Sequence, residues 1–206
     1  MLASIINRIA TMDWELAGKI IWGLCVVAWG IIRFRPNIKA RKTRVSVTKR
    51  PPIERFSMFA SQLGLGIVPA IWVFTGFPEQ FDHAIGPLSI AIGTGLFLFS
   101  LYLFRRTHKA LGKMWSHSLD LRENHKLVTR GIYEKVRHPM YSAFWLWAVS
   151  PPFLLANWVA GFAGIVGFGT LYFLRVGQEE AMMEAEFGEE YRRYKARTKR
   201  IIPKIY

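Results

Sequence analysis

The chain reads as an all-α integral membrane protein, with about five transmembrane helices and a C-terminal amphipathic helix at the membrane interface. Three observations carry this reading. The 206 residues are 51% hydrophobic and 15% aromatic, yet they include 28 Lys and Arg against 14 Asp and Glu, for a net charge of +14. The basic residues are segregated: Arg8 and Lys19 precede Ile32, and the rest fall in blocks 33–55, 105–137 and 175–204. Between those blocks the chain carries no Lys or Arg. A nucleic-acid binder spreads its bases over a solvated surface, so the pattern favours membrane spans separated by basic loops and argues against nucleic acid as partner.

An apolar helix needs about 20 residues to cross roughly 30 Å of hydrocarbon. Segments 16–32, 56–75, 88–104 and 158–174 approach that length. A fifth, 140–156, is as apolar but contains Pro151 and Pro152. Proline inside a helix removes a backbone hydrogen bond and crowds the preceding turn, which predicts a kink or an end near Ser150, followed by a turn near Asn157. Trp14, Trp72 and Trp158 stand near span ends, where aromatic anchors and ordinary bulk are equally good readings. Gly161, Gly164, Gly167 and Gly169 read as close helix packing. Cys25, the one cysteine, sits in an apolar run as a small hydrophobe. The first apolar stretch ends at Arg33-Phe-Arg-Pro36, a stop-transfer flank rather than a cleavage site. After the last span, Met183, Phe187, Tyr191 and Tyr194 recur at helical spacing with charges on the other faces, an amphipathic helix that Gly188 interrupts.

Orientation follows from the basic loops, which face the cytoplasm. The blocks after spans one, three and five are basic, whereas 76–87 carries Glu79 and Asp82 and no base. The expected topology is N-terminus out and C-terminus cytoplasmic, in the cell membrane or, in a eukaryote, the endoplasmic reticulum.

Nucleotide and metal signatures fail. Gly93-Thr-Gly95 lies within a span with no strand before it. His108, His117, His125 and His138 lie in or beside the second basic block without a ligand spacing, and there is no HExxH pair, so no metal is expected. The informative stretch is 125–141, from His125 to Tyr141, at the interface before span four. Gly131 suits a turn there, and Pro139 suits the first turn of a helix, where its missing N–H costs nothing. Span five reaches the same interface with Arg175, followed by Glu179 and Glu180.

Leu127, Val128, Gly131, Tyr133, Arg137, His138, Pro139 and Tyr141, then Glu179, Glu180, Phe187, Gly188, Tyr191 and Tyr194, form a two-part pattern. It resembles the isoprenylcysteine carboxyl methyltransferase family over about half the chain. The resemblance divides the chain into a transmembrane region, 1–104, and a methyltransferase module, 105–206. It implies S-adenosylmethionine as cofactor, held by His125, Leu127, Val128, Tyr133, His138, Pro139, Tyr141 and Glu179, with Arg175 as the catalytic, substrate-facing arginine. It implies a lipophilic acceptor, nominally the C-terminal carboxylate of a prenylated cysteine, reached from the surrounding membrane lipids. Ala143 stands where the family often has Gly, and Asp120 is a guess for a further contact.

Methyl transfer from a sulfonium needs positioning and charge complementarity, and a carboxylate acceptor is ionised near neutral pH without a base. A chain lacking a catalytic triad can therefore be an enzyme. Arg175 can hold a carboxylate bidentately, and Tyr133 and Tyr141 can pack against a cation. Each residue also has an ordinary reading. Arg175 and Glu179 are an i, i+4 pair, and the tyrosines suit an aromatic belt. Alternative functions stay open: a phospholipid N-methyltransferase with His138 or Glu180 as base, a reductase sharing the module, or a non-enzymatic protein whose basic loops bind anionic lipid.

Overall fold

In the computed structural model, residues 13–41, 45–48, 52–112, 120–122 and 127–206 are described. Helix α1 spans Trp14–Arg41, α2 spans Pro52–Thr75, α3 spans Pro87–Leu111 and α4 spans Pro139–Val149. A short α5 covers Pro151–Leu154, and α6 covers Trp158–Arg197. Among the described residues the fold is all-α apart from one two-stranded antiparallel ribbon, β1 (Val45–Thr48) with β2 (Asp120–Arg122).

Among the described residues, four helices are long and apolar enough to cross a membrane: Trp14–Phe34 within α1, α2, α3 and α6. The expected fourth span, 140–156, breaks where its sequence says it should. α4 ends at Val149, and Pro151 opens the single turn of α5. Asn157 then caps α6 by accepting from the Ala160 N–H at 2.9 Å. Large apolar side chains face outward along the spans, including Phe74 (85% exposed), Leu88 (74%) and Phe173 (70%). A water-soluble monomer rarely tolerates such contiguous apolar surface, whereas hydrocarbon solvates it.

The core is aromatic. Trp29 meets Trp147 edge-on at 4.9 Å, and Phe104 meets Phe144 at 4.6 Å. α2 and α6 pack with their backbones nearly touching. A Cβ added at Gly64 would fall 2.1 Å from the Ala163 carbonyl oxygen, and one at Gly167 would fall 2.3 Å from that of Ala60. The α2 backbone widens into a π turn over Leu63–Ile67 at this crossing. The span-five glycines are thus packing residues: Gly161 lies against Pro152 and Gly164 against Ala148.

The two ends of the bundle differ in kind. At one end Asp82 accepts from the Trp72 indole (2.7 Å) and the Asn157 amide (2.6 Å), and the His83 N–H donates to the Ala156 carbonyl (2.9 Å). The acid-bearing loop and the α5–α6 turn therefore share an end. At the other end β1 and β2 join the loops from the first two basic blocks. The tail does not detach from span five. α6 runs on beyond the apolar segment and bends at Gly188, which takes a left-handed φ of 51°.

Candidate functional site

The start of α4 and the middle of α6 converge at the basic end. His138 sits at the N-cap position of α4, and Pro139 occupies the first turn, fully buried. Gly131 takes a positive φ of 68°, which turns the chain into the short helical turn Gly131–Glu134. That turn buries Tyr133, whose carbonyl accepts from the Tyr194 hydroxyl at 2.7 Å. Tyr191 and Tyr194 are both buried, so the tail's aromatic stripe serves packing against this segment.

Two adjacent carboxylates have different surroundings. Glu180 is buried, its side chain 3% exposed. Its carboxylate accepts from Arg137 Nε and Nη2 at 3.1 and 2.8 Å, and from Arg200 Nε and Nη2 at 3.2 and 3.1 Å. His138 Nε2 lies 3.2 Å from the same carboxylate and Lys195 Nζ lies 3.6 Å from it. Glu179, 29% exposed, accepts a short hydrogen bond from the Tyr141 hydroxyl. His138 Nδ1 and Arg175 Nε each stand 3.6–3.7 Å from it. The His138 and Tyr141 rings stack with centroids 5.3 Å apart.

Burial alone would lower the His138 pKa, but its contacts with Glu179 and Glu180 outweigh that and hold it above the ordinary imidazole value. Burial, then the charge of Glu179, pushes the Tyr133 phenol well above its usual range, so it stays neutral.

The structure thus brings together Tyr133, His138, Pro139, Tyr141, Arg175 and Glu179. Leu127 and Val128 are half-buried in the extended segment before Gly131. His125 lies outside the described residues, and Asp120 of β2 pairs with Thr48 of β1. Sequence reasoning missed three participants. Arg200 joins Arg137 on Glu180. Segment 199–201 docks beside the start of α4: Arg137 and His138 N–H groups donate to the Lys199 and Arg200 carbonyls at 2.7 and 2.9 Å, and the Ser142 hydroxyl donates to the Ile201 carbonyl at 2.6 Å. Glu54 of α2, its side chain 3% exposed, lies with Oε1 3.7 Å from Arg175 Nη1. A lone acid just inside a basic block was the available signal for Glu54.

Chemically, the half-exposed Glu179 offers a carboxylate framed by hydroxyl, imidazole and guanidinium. A carboxylate so placed can accept hydrogen bonds from hydroxyl or amino groups of a ligand.

The profile of the isoprenylcysteine carboxyl methyltransferase (ICMT) family matches residues 92–185. The chain is 33% identical over 131 residues to the protein-S-isoprenylcysteine O-methyltransferase of Schizosaccharomyces pombe, covering 63% of this chain and 56% of that protein. It is 34% identical over 94 residues to protein-S-isoprenylcysteine O-methyltransferase B of Arabidopsis thaliana, covering 45% and 48%. To the human protein-S-isoprenylcysteine O-methyltransferase it is 32% identical over 83 residues, covering 40% and 29%. The chain thus aligns with about half the length, or less, of these curated relatives.

Proposed function

We propose that this chain, whose residues 92–185 belong to the isoprenylcysteine carboxyl methyltransferase family, is a membrane-embedded methyltransferase that methylates the C-terminal carboxylate of a prenylated cysteine. Residues 105–206 form the methyltransferase module and 1–104 its transmembrane support. The cofactor is S-adenosylmethionine, which supplies an electrophilic methyl group on a sulfonium. The observation that carries the reading is the unequal pair: Glu180 is consumed by two arginines, while Glu179 is held at an open edge by Tyr141, His138 and Arg175.

In this reading Glu179 is the ligand-binding carboxylate, and the Tyr141 hydroxyl fixes its orientation. His138, its pKa raised by both carboxylates, bridges Glu179 to Glu180 and keeps the start of α4 in register with α6. Leu127, Val128, Tyr133 and Pro139 wall the cofactor side, with His125 assigned there by family pattern. Arg175 presents a planar fork to the acceptor carboxylate. No side chain has to remove a proton, because that acceptor is already ionised. An amine acceptor requires a base, and here the geometry is unfavourable. Glu180 is bound by Arg137 and Arg200, which stabilise its charged form, and the two carboxylates raise the His138 pKa and so favour its charged form. The site faces the cytoplasm, the N-terminus lies outside, and the acceptor arrives from the lipid.

Arg175 tests the acceptor. Lysine offers a point charge in place of the bidentate fork, so Arg175→Lys should lower kcat/KM for a small prenylcysteine analogue by roughly ten- to hundredfold. S-adenosylhomocysteine affinity, measured on the same preparation, should change little. Parallel loss of cofactor affinity and methyl transfer would make Arg175 a structural partner of Glu179 and contradict the acceptor role.

A further inference from the structure

We infer that Glu54, in the first turn of α2 and outside the family-matched segment, is a positioning residue of the methyl-transfer site, acting through Arg175. The inference rests on the acceptor role proposed for Arg175.

The α2–α6 crossing runs antiparallel. Gly64 meets Ala163, Ala60 meets Gly167, and about two turns further along the same crossing Glu54 stands beside Arg175. The near contact of the two backbones leaves these helices little freedom to slide, so the register that buries Gly64 also fixes the carboxylate against the guanidinium. The Ser57 hydroxyl donates to the Glu54 carbonyl at 2.9 Å, holding that turn of α2. A carboxylate 3% exposed at the edge of a membrane bundle carries a desolvation cost that requires a nearby cation. Arg175, 11% exposed, stands at 3.7 Å.

A simple structural ion pair would have one carboxylate for one guanidinium. Here the Arg175 guanidinium lies between two, with Glu54 Oε1 3.7 Å from Nη1 and Glu179 Oε2 3.7 Å from Nε. Glu179 is shared, since His138 Nδ1 lies 3.6 Å from it as well as Arg175. A ligand engaging Glu179 draws off one of the two anchors on Arg175, and Glu54, buried on α2, remains to aim the guanidinium. The two carboxylates therefore divide the work: Glu179 binds, and Glu54 holds Arg175 in place for the acceptor.

The test uses the full chain in detergent, with S-adenosylmethionine and a small prenylcysteine analogue. Glu54→Gln keeps the shape of the side chain and removes its charge. Acceptor KM should rise roughly tenfold or more, since small misplacements of a positioning group are costly, while S-adenosylhomocysteine affinity stays near wild type; the thermal midpoint falls, as for any buried ion pair that loses one partner. Glu54→Asp, which restores the charge, should recover part of the loss. An unchanged KM in an active, well-folded Glu54→Gln protein overturns the inference. So does a loss in which cofactor affinity and KM deteriorate together and Asp recovers nothing. If the wild-type chain binds S-adenosylhomocysteine but leaves the analogue unmethylated, the acceptor reading itself fails, and the role of Glu54 falls with it.

Discussion

Glu179 and Glu180 are neighbours in sequence, but on a helix they point about 100° apart, and that angle separates their roles. Glu180 turns inward to Arg137 and Arg200, and Glu179 turns toward Tyr141 and Arg175. The sequence pattern offered both acids and could not separate them, because the deciding partners lie 43 and 20 residues away from Glu180. His138 contacts both carboxylates, and its raised pKa makes a pH prediction. Burial lowers it, hydrogen bonding to the acids raises it further, and the net shift is upward. A raised folded pKa means the stabilisation is fully present below the unfolded value, about 6.5, and is lost as pH rises through the folded value. Titration of the His138 ring by NMR should give a midpoint above about 6.5, and His138→Gln should flatten the fall in stability over that interval. A midpoint at or below the ordinary value would contradict the bridging role.

Local chemistry made most of the elements legible. Pro151 ends α4 one residue after Ser150, Asn157 caps α6, Gly131 supplies a turn, and Gly188 bends the tail. Each follows from a backbone preference that one residue carries. The docking of segment 199–201 beside the start of α4 was not legible, because it depends on backbone pairing that any sequence can make. Glu180 is the clasp that holds that segment to α6 and the His138 turn. Removing one member of a buried charge network typically costs about 3–5 kcal/mol because the partners stay buried. Glu180→Gln should therefore lower the thermal midpoint markedly and open the C-terminal segment to limited proteolysis. Glu184→Gln, at a half-exposed position whose partners are Arg192 and Lys195, should do neither. Wild-type proteolysis of the Glu180 variant would contradict the clasp.

At the scale of the molecule, the charge segregation foretold an arrangement in which loops of one kind share an end. The β1–β2 ribbon ties the first two basic loops together, and the Asp82–Asn157 contact ties the acidic loop to the α5–α6 turn. The grouping of loops at the two ends was readable because loop charge is set by the membrane rather than by packing. The α2–α6 contact through Glu54 and Arg175 was not readable, since it joins the two halves that the sequence divides at residue 104. In a Cys25→Ser background, single cysteines at Thr43, Glu123 or Lys199 should resist an impermeant thiol reagent in intact cells, and one at Gln80 should react. Labelling at Glu123 from outside would place the site on the wrong face of the membrane. The most direct test of the account is S-adenosylhomocysteine binding by the purified wild-type chain beside Glu179→Ala and Glu184→Ala. The wild type and the Glu184 variant should bind alike, and the Glu179 variant roughly ten- to hundredfold more weakly, the worth of a hydrogen bond to a charged group. Equal binding by all three, or none by the wild type, would contradict the assignment of this site.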